Sequence, residues 1–368
     1  MRRTLLAGVV AALTAGLTGV LAALPAAAVQ ASSSPPAAVS AAPGAFGADQ
    51  IVGSCISGPS AADISTDGTV RGFAACTGGA EYGPISYFRQ QAGGTLYRED
   101  TPWTGEVLAT AWDGVDAMYV VFEDEGMLRI AKRTSSTGAY SATTLLSFDS
   151  GFQADVVASN GKWWAVWSRP AGSGMDAPVQ LFQAHTLLGT QAPTQITHTP
   201  PSITNTHPSL TYRNGRVTLI WSRGYEDHSD LRMANSTGGP WASFDFATFG
   251  TDNDRVDSIN YNGILYTTWQ RDGKIVVADN STGAFVSHTF VTGGRLPRIG
   301  HSGGKTFLAW TTGSGINQKL LFTERSGGVW SSVPVGGFPG VASAVLGQGG
   351  KARILYYDDE RLHLRSQL

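Results

Sequence analysis

Charge is scarce in this chain. Only 15% of its 368 residues are Asp, Glu, Lys or Arg, and the formal net charge is −2. So neutral a chain lacks the dense cationic field that a phosphate backbone requires, which argues against nucleic acid as partner. Cysteine is scarcer still: Cys55 and Cys76 are the only two. With no His/Cys cluster at zinc spacing, neither a zinc site nor a redox motif is expected, and no cofactor. In an oxidising compartment two such thiols predict one disulfide, Cys55–Cys76. Amphipathic helical periodicity is missing after the N-terminal region, and no later apolar run could span a bilayer.

The N-terminus supplies the compartment. Met1-Arg2-Arg3 is followed by an uncharged apolar run, 5–24, and then by Pro25-Ala26-Ala27-Ala28. A positive start, an apolar middle and a small-residue end describe a secretory signal peptide over 1–28. Residues 29–48 are rich in Ala, Ser and Pro and bury too little to offset ordering, so they predict a flexible leader. The folded part is expected over 49–368, secreted, monomeric and free of the membrane once the signal is removed. About 320 residues exceed one simple core unless the architecture repeats.

It does repeat. A short apolar run recurs as GFAAC (72–76), MYVVF (118–122), WWAVW (163–167), TLIW (218–221), LYTTW (265–269), TFLAW (306–310) and ILYY (354–357). The steps are roughly 40–55 residues, the range of propeller blades. A turn precedes most of these runs, such as ASNG (158–161), YRNG (212–215) and NYNG (260–263). Asn-Gly favours the left-handed backbone of tight hairpins. A third strand follows each run, then a second turn and a fourth strand. Seven such units predict an all-β, seven-bladed β-propeller of four-stranded antiparallel blades. The last unit ends after its third strand, RLHLRSQL (361–368), while DQIVGSCIS (49–57) precedes the first unit without a partner. The N-terminal strand is therefore expected to complete the last blade and close the ring, leaving no open edge.

The second turn carries a further pattern: SSTGAYS (135–141), NSTGGPWAS (235–243), NSTGAFVS (280–287) and RSGGVWSS (325–332). It resembles the Asp-box of sialidase-like propellers, in which Ser or Thr, Asp, Gly and an aromatic occupy this hairpin. Here Ser, Gly and the aromatic remain and the Asp is absent. The resemblance implies a sialidase-superfamily propeller (bacterial neuraminidase repeat type) with degenerate, structural boxes. The string nearest to the family's Phe-Arg-Ile-Pro start is LPRIG (296–300), which contains Arg298.

Three units write an apolar run, Trp, a polar residue and Arg: AVWSR (165–169), LIWSR (219–223) and TTWQR (267–271). The tryptophans, with Trp310, are expected to fill the wedges between blades. The arginines are not needed for packing. Arg169, Arg223 and Arg271, with Arg298, are candidates to grip a carboxylate, sulfate or sugar. Long loops gather in the same units, and function concentrates on such loops. They and their surroundings carry Asp155, His207, Tyr225, Glu226, Asp227, His228 and Asp257. Two carboxylates among them suit glycoside hydrolysis. Arg223 with His207, His228 or Tyr225 would suit elimination from a uronate. The expected partner is an extracellular glycan or polysaccharide, bound and in one reading cleaved over units 3 to 5. The other reading is a non-catalytic lectin or protein-binding propeller.

Overall fold

The computed structural model describes residues 45–368, apart from 54–59, 66, 76–82, 92, 149–151, 173–176, 248–251, 315–316, 332–334 and 359–360, together with the backbone of 30–32. The expected disulfide, Cys55–Cys76, and the signal segment lie outside the described residues. No α-helix occurs among the described residues. Their strands form seven sheets, each built on four antiparallel strands, in chain order in six of them.

Seven inner strands ring the axis: Ser60–Ile64, Glu106–Trp112, Gln153–Ser159, Thr204–Arg213, Asn253–Tyr261, Gly294–Ser302 and Val341–Gln348. Each touches the next, and the last touches the first. These define blades 1 to 7. The hairpin from inner to second strand turns at Asn214-Gly215 in blade 4 and Asn262-Gly263 in blade 5. Both residues of each pair have positive φ, between 48° and 85°. That backbone matches the right-handed twist of the flanking strands, which is why Asn-Gly recurs there.

The ring closes as the repeat predicts. Gln50–Gly53 pairs antiparallel with Leu362–Ser366 and becomes the outer strand of blade 7. Pairing begins before it: Gly47 N donates to Ser366 O, and Leu368 N donates to Ala45 O. Further back, Gln30–Ser32 lies parallel to Val286–Thr292 on the outer edge of blade 5.

Seven apolar clusters fill the seven inter-blade wedges. Trp167, Trp221, Trp269 and Trp310 are buried at the same place in blades 3 to 6, each facing the preceding blade. Alternation along a strand sends neighbours such as Ile220 and Trp221 into opposite wedges, so every second strand buries both faces. Blades 6 and 7 approach so closely that a Cβ at Gly300 would stand 2.5 Å from Val345 O. Only glycine fits there.

Candidate functional site

The inner strands enclose a channel of about 580 Å³. Five charged side chains from four blades line it: Asp63, Asp155, Arg255, Asp257 and Arg298. The acids repeat one arrangement. Asp63 of blade 1 accepts from Trp112 N of blade 2 at 2.9 Å. Asp155 of blade 3 accepts from Leu210 N of blade 4 at 2.6 Å, and Asp257 of blade 5 from Ile299 N of blade 6 at 2.8 Å. Each of the first two also accepts the amide of its own successor, Ile64 or Val156, on the other oxygen. Three carboxylates in alternate blades thus clip inner strand to inner strand. Arg298 Nε continues the series, donating to Ser343 O of blade 7 at 3.0 Å, and Ser209 and Ser258 join blades 4 and 5 through hydroxyls 2.6 Å apart.

Burial governs the acids' charge. It raises Asp155 to about 7 against the amides of Leu210 and Val156, with Asp257 adding to the rise and Arg298 opposing it. Asp257 and Asp63 are raised for the same first cause; Arg298 is the chief opposition at Asp257, and the Trp112 amide at Asp63.

At one end of the channel the inner strands are irregular. In blades 4, 5 and 6 the pairing slips at Thr206/Ser209, Asp254/Asp257 and Arg295/Arg298. Inside each slip one non-glycine residue has positive φ: His207 (50°), Arg255 (56°) and Leu296 (52°). Such bulges re-aim side chains, and such backbone costs roughly 1–3 kcal/mol per residue. The result is a polar rim across three blades. Gln153 of blade 3 accepts from His207 N of blade 4 at 2.7 Å. His207 Nδ1 lies 2.6 Å from Asp254 Oδ1 of blade 5, and Arg255 Nε lies 3.6 Å from Asp254 Oδ2. Burial works against the Asp254 charge, but the His207 ring and the amide and guanidinium of Arg255 outweigh it and hold the carboxyl below its usual range.

The Trp-x-Arg signature has a separate explanation. Asn205 and Asn253 are fully buried at the start of their inner strands. Asn253 Oδ1 accepts from Trp269 Nε1 and from Arg271 Nε, both at 3.0 Å. Asn205 Oδ1 accepts from Trp221 Nε1 at 3.0 Å and Arg223 Nε at 3.4 Å. One side-chain oxygen thus fixes an indole and a guanidinium two residues apart on the neighbouring strand. Blade 3 lacks such an Asn. There the Arg169 guanidinium sits 4.1 Å above the Phe182 ring and donates to Phe148 O at 3.4 Å.

The remaining candidates occupy the hairpin between the second and third strands of blade 4. Tyr225 N donates to His228 O, and the two rings stack at 4.6 Å. His228 Nδ1 is 2.6 Å from Asp227 Oδ1, Glu226 is exposed at the tip, and Asp230 is buried behind it. Burial raises Asp230 against the opposing charges of His228, Arg232 and Arg223.

Asp155, Asp257 and Arg298 thus share the channel, and His207 belongs to the rim. Tyr225, Glu226, Asp227 and His228 share one hairpin, while Arg169, Arg223 and Arg271 stand at strand ends. Sequence reasoning missed Asp63, Asn205, Asn253 and Gln153. Asp63 had a signal, since it precedes its turn glycine by nearly the same interval as Asp155 and Asp257. The two asparagines had none, because their partners lie on the neighbouring strand.

No family model and no curated protein matches the chain. Among solved structures, the β-propeller domain of Cps50 (Swd1) from Myceliophteria thermophila is similar over 87% of this chain and 99% of its own, at 10% identity and a TM-score of 0.57. A prolyl endopeptidase is similar over 86% of this chain but 51% of its own, at 10% identity and a TM-score of 0.51. A GH43 β-1,3-galactosidase with galactodeoxynojirimycin aligns with 57% of this chain and 87% of its own, at 11% identity and a TM-score of 0.37. At such identities the likeness is one of fold: this chain is a seven-bladed β-propeller.

Proposed function

We propose that the protein is a secreted propeller that binds extracellular carbohydrate at the channel mouth over blades 3 to 5. One observation carries this reading: the run Gln153–His207–Asp254–Arg255, held at the rim by strained bulges. Strain in successive blades is retained where side-chain direction matters. The rim offers a braced carboxylate as acceptor beside a guanidinium donor, the pairing that neighbouring sugar hydroxyls require. The signal-like N-terminus supports secretion, and the Ser-Gly-aromatic turns support kinship with sialidase-like propellers.

The test is a glycan array followed by calorimetric titration of the mature protein. Saturable binding to an oligosaccharide is expected, weakened about ten-fold or more by Asp254→Ala, as loss of a charge-assisted hydrogen bond implies. A panel of neutral and acidic glycans that gives no saturable binding would sink the reading.

A second reading, hydrolysis, is favoured by Asp155 alone. A carboxyl raised to about 7 can donate a proton near neutrality, with Asp257 as its partner. Weighing against it, both oxygens of Asp155 already accept backbone amides. Release of reducing ends that disappears in Asp155→Asn, while the variant still folds, would establish it.

A further inference from the structure

The channel mouth is not the only recess. At the opposite end of blade 1, beside the two turns that precede its second and fourth strands, lies a pocket of about 240 Å³. Thr69, Arg71, Arg89, Gln91 and Tyr97 are among its lining, and no carboxylate is among the described residues that line it.

Its charges do not balance. Arg71 is 8% exposed, with its guanidinium 4.5 Å over the Trp112 ring. Its carboxylate contact is Asp67, at 3.5 Å and more than half exposed, and its Nε has no acceptor among the described residues. Arg89 is exposed, stacks on Tyr97 at 4.9 Å and forms no ion pair among the described residues. Behind the wall, buried Arg353 donates to Gln90 O at 3.4 Å and likewise has no carboxylate partner there. Burial lowers the Arg353 pKa, the mark of an uncompensated cation. Glu99, bonded to the lining residue Tyr97, is already engaged: Arg133 Nε and Tyr140 OH donate to one oxygen, and Tyr97 OH to the other. Of the guanidinium groups of Arg71, Arg89 and Arg353, that of Arg71 alone contacts a carboxylate among the described residues, the exposed Asp67, and it also donates to the Ser65 hydroxyl. A buried cation such as Arg71, with an unfilled donor, is stabilised when an anion reaches it.

We propose that this pocket binds an oxyanion, the carboxylate or sulfate of an acidic sugar unit. Two guanidinium planes offer forked donors to either group. Tyr97, 42% exposed, is placed at the rim where a sugar ring would stack. The recess is smaller than pockets for drug-sized ligands, which suits one residue of a polymer. The site is separate from the channel mouth, so it stands or falls independently of the binding proposed there.

The experiment is calorimetric titration of the mature protein, at constant ionic strength, with sodium glucuronate, sodium sulfate and glucose, beside Arg89→Gln. Arg89 is at the surface, so this variant is expected to keep the wild-type melting temperature. Saturable one-to-one binding of glucuronate is expected, no binding of glucose, and a loss of about ten-fold or more in the variant. Arg71→Lys, which keeps the charge and loses the fork, should also weaken binding. Asp254→Ala should leave it unchanged. Saturation by sulfate but not glucuronate upholds the oxyanion site and assigns it to sulfate groups. Failure of both anions to saturate, or an unchanged affinity in Arg89→Gln, overturns the proposal.

Discussion

Asp155 Oδ2 lies 2.6 Å from the amide nitrogen of Leu210, across the boundary between blades 3 and 4. A carboxylate with an ordinary value of 3.8 is held there at about 7, chiefly by burial. The folded protein therefore keeps a proton that the unfolded chain releases. The stability this group contributes is complete below 3.8 and is lost as pH rises from there to about 7. Asp63 and Asp257 shift in the same direction. Urea midpoints should fall between pH 5 and pH 7.5, with a shallower fall in Asp155→Asn. At pH 5 the variant should be less stable by about 1–2 kcal/mol, because an amide can accept at only one of the two positions. A wild-type midpoint flat across this window would refute the assignment.

The shared oxygen of Asn253 makes a second prediction. Asn253→Ala leaves the Trp269 indole, which is fully buried, and the partly buried Arg271 guanidinium without that acceptor. A loss of about 2–4 kcal/mol is expected, since two donors forfeit their bond at once. Chemical denaturation measures it. In a cycle with Trp269→Phe, the two losses should be markedly less than additive.

The tryptophans are not equivalent. Trp269 Nε1 has its acceptor, whereas Trp167 Nε1 has none among the described residues. Trp→Phe at 167 removes a buried donor that was never satisfied; at 269 it breaks a hydrogen bond. The second should cost about 1 kcal/mol more than the first. Truncation to Ala should cost about 3–5 kcal/mol at either site. Melting temperatures of the four variants order them.

Ring closure rests partly on His363. Its Nδ1 lies 2.7 Å from Asp49 Oδ2, at the start of the closing segment, and its Nε2 lies 2.9 Å from Asp358 Oδ2. Tyr356 OH also donates to Asp49, and the Tyr356 ring stacks on the imidazole. His363→Ala should loosen the outer strand of blade 7 before the other blades. Hydrogen exchange should show faster exchange at 50–53 than at the inner strands. Deleting residues up to 53 should expose the Leu362–Ser366 edge and favour association of chains.

Much of the architecture was legible from the residues in order. Apolar runs at a steady interval, Asn-Gly turns and an unpaired first strand suffice for seven blades and their closure, because period and turn chemistry are local properties. The place of Trp167, Trp221, Trp269 and Trp310 followed from the same repeat. The site was less legible. Asp155 and Asp257 stood out as acids in a chain poor in charge, but nothing local revealed that their oxygens clip neighbouring blades. Nor could spacing show that Asn205 and Asn253 each bind an indole and a guanidinium, or that Arg71, Arg89 and Arg353 crowd one corner. Those facts arise when strands far apart in sequence are brought side by side. Burial and the neighbouring blade then decide which polar groups are satisfied, which carry charge, and which remain open to a ligand.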